Sequence, residues 1–183
     1  MEEEEISARK KVLESVRQEE IVRITHDLIE LRSVNPPGNE RECAEYVAQT
    51  LGDIGLQVEF VEQQKGRPNV VCRLKGSDGS PRLLYNGHMD VVPPGEGWSV
   101  EPFSGKVIDG KIYGRGASDM KSGLAAMIVS AKALTEAGVR LRGDLILTAV
   151  IDEEPMGPGG TAYLVDKGLK ADSAVIGEPT FYL

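Results

Sequence analysis

Only two cysteines, Cys43 and Cys72, occur among 183 residues. That count excludes a disulfide framework and a cysteine-rich zinc knuckle. Both have apolar neighbours and read as buried, reduced thiols. Basic residues are outnumbered: 21 Lys and Arg stand against 29 Asp and Glu, a formal net charge of -8. Nucleic-acid binding needs a basic stripe, so no nucleic-acid partner is expected. No window approaches the ~18 consecutive apolar residues of a membrane span. The start, MEEEEISARKK, lacks the basic n-region and apolar run of a secretory signal. The expected compartment is the cytoplasm, with no membrane partner. Histidine is scarce as well: there are only His26 and His88.

What remains is ordinary for one globular domain: 40% hydrophobic and 27% charged residues. Helical apolar spacing predicts a helix over residues 5–32, its glutamate-rich start solvated, and a second over residues 40–54. Ser33-Val34-Asn35-Pro36-Pro37-Gly38-Asn39 separates them as a loop. Residues 56–62, 69–74 and 82–85 read as strands. Asp109-Gly110 between two short apolar segments predicts a tight hairpin. A helix over 120–137, a fully buried strand over 144–151, a short helix over 161–167 and a strand over 173–176 follow, giving a parallel crossover.

Chemistry-bearing residues cluster at the ends of these strands. His88 and Asp90 follow the third strand, Glu153 and Glu154 the buried one, and Glu178 the last. Sites in open α/β sheets form outside the carboxyl ends of strands, so all three ends can supply one edge. A metal-bound histidine usually donates its other ring N–H to a carboxylate, which His88-x-Asp90 can provide. Asp119, at the end of a glycine-rich loop, reads either as a helix N-cap or as a carboxylate bridging two cations. Asp152-Glu153-Glu154 sets three acids in a row after an apolar strand, which is costly without neutralising cations or protons. Glu178 alone reads as a surface turn, and His26 as a surface or packing residue. One imidazole among several carboxylates suits zinc, cobalt or manganese. Competing motifs are absent: Gly114-x-Gly116 meets Asp119 where a dinucleotide loop needs a third glycine, and there is no phosphate loop, His-Glu-x-x-His or Gly-x-Ser-x-Gly.

Four blocks taken together resemble one family: Tyr85-Asn86-Gly87-His88-Met89-Asp90-Val91-Val92-Pro93, Tyr113-Gly114-Arg115-Gly116-Ala117-Ser118-Asp119-Met120-Lys121, Asp152-Glu153-Glu154 and Gly177-Glu178-Pro179-Thr180. It is the co-catalytic zinc metallopeptidase family of acetylornithine deacetylase, succinyl-diaminopimelate desuccinylase, aminoacylase and the glutamate carboxypeptidases. The resemblance implies an α/β three-layer sandwich with a mostly parallel central sheet, of zinc-exopeptidase type and truncated. It implies two Zn2+ per complete site, with Co2+ or Mn2+ as substitutes. His88, Asp119, Glu154 and Glu178 would be metal ligands, Glu153 the general base and Asp90 the support of His88, with a cis Asp119–Met120 peptide. The implied activity is hydrolysis of an N-acyl amino acid or peptide-like small molecule by a two-metal-activated water. A non-catalytic metal-binding domain, or one piece of a split enzyme, is the alternative.

Residues 1–17 read as an acidic extension and 18–183 as the N-terminal part of the catalytic domain. The lid or dimerisation domain and the C-terminal half are then absent, and a homodimer is implied only for the full-length form. No histidine follows His88 to complete the second metal or to hold the oxyanion. An exposed sheet edge and apolar surface are expected with it. Zinc titration is expected to resolve one tighter site and one weak or absent site per chain; two equally tight sites would overturn that reasoning.

Overall fold

The computed structural model describes residues 2–180. Helices α1 (Glu2–Ser15), α2 (Gln18–Glu30) and α3 (Arg41–Asp53) precede strands β1 (Gln57–Gln64), β2 (Arg67–Leu74) and β3 (Leu83–His88). The hairpin β4 (Lys106–Ile108) and β5 (Lys111–Tyr113) follows, then α4 (Ser122–Glu136), β6 (Leu145–Val150), α5 (Thr161–Asp166) and β7 (Ser173–Ile176). The hairpin turn takes positive φ at both central residues, 49° at Asp109 and 73° at Gly110, as the Asp-Gly pair requires.

Three expectations are corrected. The helix expected over residues 5–32 is two helices, because Arg17 is extended (φ -114°, ψ 118°). The break lets α2 bury Ile24, Thr25, Leu28 and Ile29, while Ile6 and Leu13 of α1 remain exposed. The helix expected from residue 120 begins at Ser122, because Asp119 and Met120 have non-helical dihedrals within an irregular turn, Ala117–Lys121. The strand expected to end at residue 85 runs on to His88, held by parallel pairing with β6 as far as His88↔Val150.

The five-stranded sheet has the order β1-β2-β6-β3-β7 and is mixed. β1 and β2 run antiparallel, as do β2 and β6, whereas β3 is parallel to both β6 and β7. The crossover from β3 to β6 and the crossover from β6 to β7 travel in opposite directions along the sheet. Right-handed connections therefore set α4 and α5 on opposite faces. Side-chain alternation along β3 agrees: Gly87 faces Met120 and Leu124, while Asn86 accepts hydrogen bonds from Thr148 Oγ1 (2.7 Å) and Thr161 Oγ1 (3.2 Å). The result is three layers. The main core joins Ile24 and Leu28 of α2, Val47 and Leu51 of α3, and Leu124 and Ile128 of α4 to Val70, Leu145 and Leu147 of the sheet. Cys43 and Cys72 are buried and free, as their apolar neighbours suggested. β7 leaves Val175 and Ile176 exposed at the sheet's edge.

Parallel β3, β6 and β7 point their carboxyl ends the same way, and the first turn of α4 returns to that edge. The approach is close. A Cβ on Gly123 would stand 2.4 Å from the carbonyl oxygen of Gly177, and one on Gly177 would stand 2.7 Å from Met120 Cε. Glycine thus lets the chain before Glu178 lie against the turn that carries Asp119. Gly123→Ala is expected to destabilise the fold by about 1–3 kcal/mol through overpacking. Gly52→Ala in α3, with nothing within 4 Å of the added carbon, should be neutral or stabilising by up to about 1 kcal/mol. Urea midpoints of the two variants would expose an error here if their order were reversed.

Candidate metal centre

His88 closes β3 and is buried. Its Nδ1 lies 2.9 Å from the backbone oxygen of Asp90 and 3.5 Å from Asp90 Oδ1. Both are acceptors, so Nδ1 carries a hydrogen, and Nε2 is the nitrogen that would offer a lone pair to a cation once its own proton is lost. Carboxylates from three other segments face that nitrogen: Asp119 Oδ1 at 3.1 Å, Glu178 Oε1 at 3.4 Å and Glu153 Oε2 at 3.6 Å. Met120 takes a share in fixing the loop, its sulfur accepting the His88 N–H at 3.2 Å. The Asp119–Met120 peptide is cis.

Asp119 is not a helix cap. α4 begins three residues later with no side-chain cap bond, and the Asp119 carboxylate turns to His88 instead. Glu154 is anchored by the Val92 N–H (3.2 Å). Two sets offer ligand atoms mutually within 4.8 Å: His88 with Glu153 and Glu178, and His88 with Asp119 and Glu154. The six site residues named from the sequence therefore meet at one edge. His26 packs elsewhere, over Gly105 and beside Asp27.

The electrostatics follow from four acids around one imidazole. Burial, reinforced by the charges of Asp119 and Glu153, pushes the Glu178 carboxyl up to about 6 against the pull of His88. Burial also raises Glu154, with Asp119 and Asp90 adding to it. Burial alone would lower His88. Its bond to Asp90 and the charges of Asp90, Glu178 and Glu153 outweigh that and lift it to about 9. Burial likewise opposes a charged Asp90, but donors from His88, Asn35 and the Glu153 backbone hold it below the usual carboxylate range. Among the described residues, His88 is the cationic group that pairs with Asp119, Glu153 and Glu178. The excess negative charge and the oxygen-rich donor set fit divalent cations.

Residues 84–183 match the family model described as Peptidase family M20/M25/M40. The chain belongs to that family. It is 37% identical over 183 residues to N-formyl-4-amino-5-aminomethyl-2-methylpyrimidine deformylase of Bacillus subtilis (strain 168), covering 97% of this chain and 42% of the relative. It is 40% identical over 169 residues to a succinyl-diaminopimelate desuccinylase of Methylobacterium radiotolerans, covering 87% and 42%. Human carnosine dipeptidase 1 superposes with a TM-score of 0.81 at 25% identity, over 94% of this chain and 41% of that one. A metallo-carboxypeptidase of the family from Sulfolobus solfataricus gives 0.74 at 28% identity, over 86% and 37%. The chain spans about two fifths of the length of the curated relatives it matches.

Several residues that shape the centre were not singled out by sequence reasoning. Asn35 donates to Asp90 Oδ2 at 2.9 Å from within a segment read only as a loop. Lys121 is fully buried and donates to the carbonyls of Leu28 (2.6 Å) and Leu31 (2.9 Å), tying the irregular turn to the end of α2. A lysine in an apolar helix start was the one local signal for it.

The His88 shift carries a sign. Its folded pKa of about 9 exceeds the ordinary 6.5, so in the metal-free chain its stabilisation is full below about 6.5 and is lost as pH rises through about 9. A ligating imidazole must be neutral, so zinc binding below pH 9 must expel a proton. Apparent zinc affinity is expected to climb roughly tenfold per pH unit between 6.5 and 9. Calorimetric titrations in buffers of differing ionisation heat check this; a flat affinity would remove His88 from the ligand set.

Proposed function

We propose that this chain carries the cation-binding and base-bearing part of a hydrolase that cleaves the amide of a small N-acyl amino acid or peptide-like substrate. The observation that carries the reading is the convergence on His88 Nε2 of Asp119, Glu178 and Glu153, at 3.1, 3.4 and 3.6 Å. Family membership supports amide hydrolysis in general, and the matched relatives are described as a deformylase, desuccinylases and a dipeptidase.

In this reading His88, Asp119 and Glu178 hold one divalent cation, and Asp119 and Glu154 contribute to a second. Zinc is the proposed metal, and cobalt or manganese would fit the same donors. A bound pair of cations supplies Lewis acidity and lowers the pKa of a water toward ~7. Asp90 keeps His88 in the tautomer that ligates. Glu154 is fixed by Val92 and so suits a ligand. Glu153, half exposed and 3.6 Å from His88 Nε2, suits a mobile proton carrier. It accepts a proton from the attacking water as the carbonyl carbon gains its new oxygen. It then delivers that proton to the departing nitrogen as the C–N bond breaks. No covalent intermediate with the protein is required.

The expected result for Glu153→Ala, in a hydrolytically active form of the protein, is a fall in kcat of roughly 100- to 10,000-fold with zinc content near normal. Measured turnover against N-formyl, N-acetyl, N-succinyl and dipeptide substrates, alongside metal analysis, decides it. Lost metal with surviving turnover would take the base role away from Glu153.

A further inference from the structure

We infer that Asn35, Asp152 and Arg67 form a positioning relay that sets the His88 ligand and the Glu153–Glu154 turn in register with each other. This rests on the metal-centre reading above. The Asn35 side-chain amide has two hydrogens and spends them on two carboxylates, Asp90 Oδ2 at 2.9 Å and Asp152 Oδ1 at 3.2 Å. Asp90 is the carboxylate behind His88, and it also accepts the backbone N–H groups of Glu153 and Glu154, each at 3.2 Å. Asp152 is the residue just before that pair and has a positive φ of 66°. Asn35 therefore joins the support of the histidine to the origin of the two glutamates.

The far side of Asp152 is held as firmly. Arg67, the first residue of β2, donates to Asp152 Oδ1 at 3.3 Å, and Gly159 N–H donates to Oδ2 at 3.2 Å. Arg67 also grips the fully buried Glu40 through both Nε (2.9 Å) and Nη2. Glu40 precedes α3, so the relay ends on the helical layer. Gly157 is shaped to this arrangement, since a Cβ there would stand 1.9 Å from Asp152 Oδ2. Asn35 itself is 4% exposed and is pinned by its own N–H to the Val91 carbonyl at 2.9 Å. A buried amide satisfied on both hydrogens is costly to misplace, so it specifies one arrangement.

None of these three side chains hydrogen-bonds the His88 ring, whose partners are Asp90 and Asp119. They act through Asp90 and the backbone, as partners behind a ligand do, and loss of such partners weakens metal binding about 10- to 100-fold. Asn35→Asp keeps the size and removes the amide donors. Arg67→Lys keeps the charge and removes the fork that spans Glu40 and Asp152. Zinc affinity of this chain, by competition with a chromophoric chelator, and the visible spectrum of its Co2+ form would be compared with melting of the zinc-free chain.

The expected outcome is at least about tenfold weaker zinc binding for Asn35→Asp, a smaller loss for Arg67→Lys, and an altered Co2+ spectrum in both. Lower melting with unchanged zinc affinity and spectrum would reduce the relay to a purely structural element and overturn the inference. If Asn35→Asp does not fold, Arg67→Lys decides the matter alone. His88→Ala separates the two readings. If it abolishes zinc binding while the relay variants bind normally, only the relay fails. If it leaves zinc binding unchanged, the metal centre itself is misread.

Discussion

The Asp90 carboxylate is the junction on which the centre depends. It is fully buried, and it faces His88 while accepting from Asn35 and from the backbone of Glu153 and Glu154. A bare buried charge would be untenable; this one is stable because nearly every lone-pair direction has a donor. The same bonds align three stretches that are remote in sequence. The geometry of the acidic ledge is thus set from beneath, by buried groups.

Above that junction, the layout is a consequence of strand direction. β3, β6 and β7 are parallel, so their carboxyl ends deliver His88, the 153–154 pair and Glu178 to one side. Backbone glycines at 123 and 177 then let the Asp119 turn close onto it. Burial at that edge, reinforced by the neighbouring acids, is why Glu178 and Glu154 hold their protons more tightly than free carboxyls do.

Much of this was legible in the chain before any coordinates. Short apolar runs before His88, Glu153 and Glu178 give away the strand ends, most plainly for β6, whose full burial leaves a continuous hydrophobic signature. The Asp109-Gly110 turn is equally explicit. What was not legible depends on long-range geometry. Arg17 has no breaker character of its own; the helix divides there because α2 must seat on the core and α1 does not. Asp119 leaves cap and cation-bridging carboxylate both open locally, until the fold shows that α4 starts later and the carboxylate turns to His88. Asn35 looks like any loop asparagine, since its two partners lie 55 and 117 residues away. Arg67 and Asp152 are likewise 85 residues apart. No local pattern reports such pairings.

The placement of β7 bears on the order in which the molecule is made. Its docking beside β3 joins stretches separated by about half of the chain, as the bond from Arg82 N–H to Asp172 across 90 residues illustrates. His88 leaves the ribosome long before Glu178 does. A nascent chain can therefore offer imidazole and the first carboxylates while the ligand set is still open, and contacts of such high sequence separation form slowly. In the metal-centre reading proposed above, a cation captured at that edge before the last strand docks would be loosely held. The docking of β7 beside β3 is thus the step that brings Glu178 to the His88 edge.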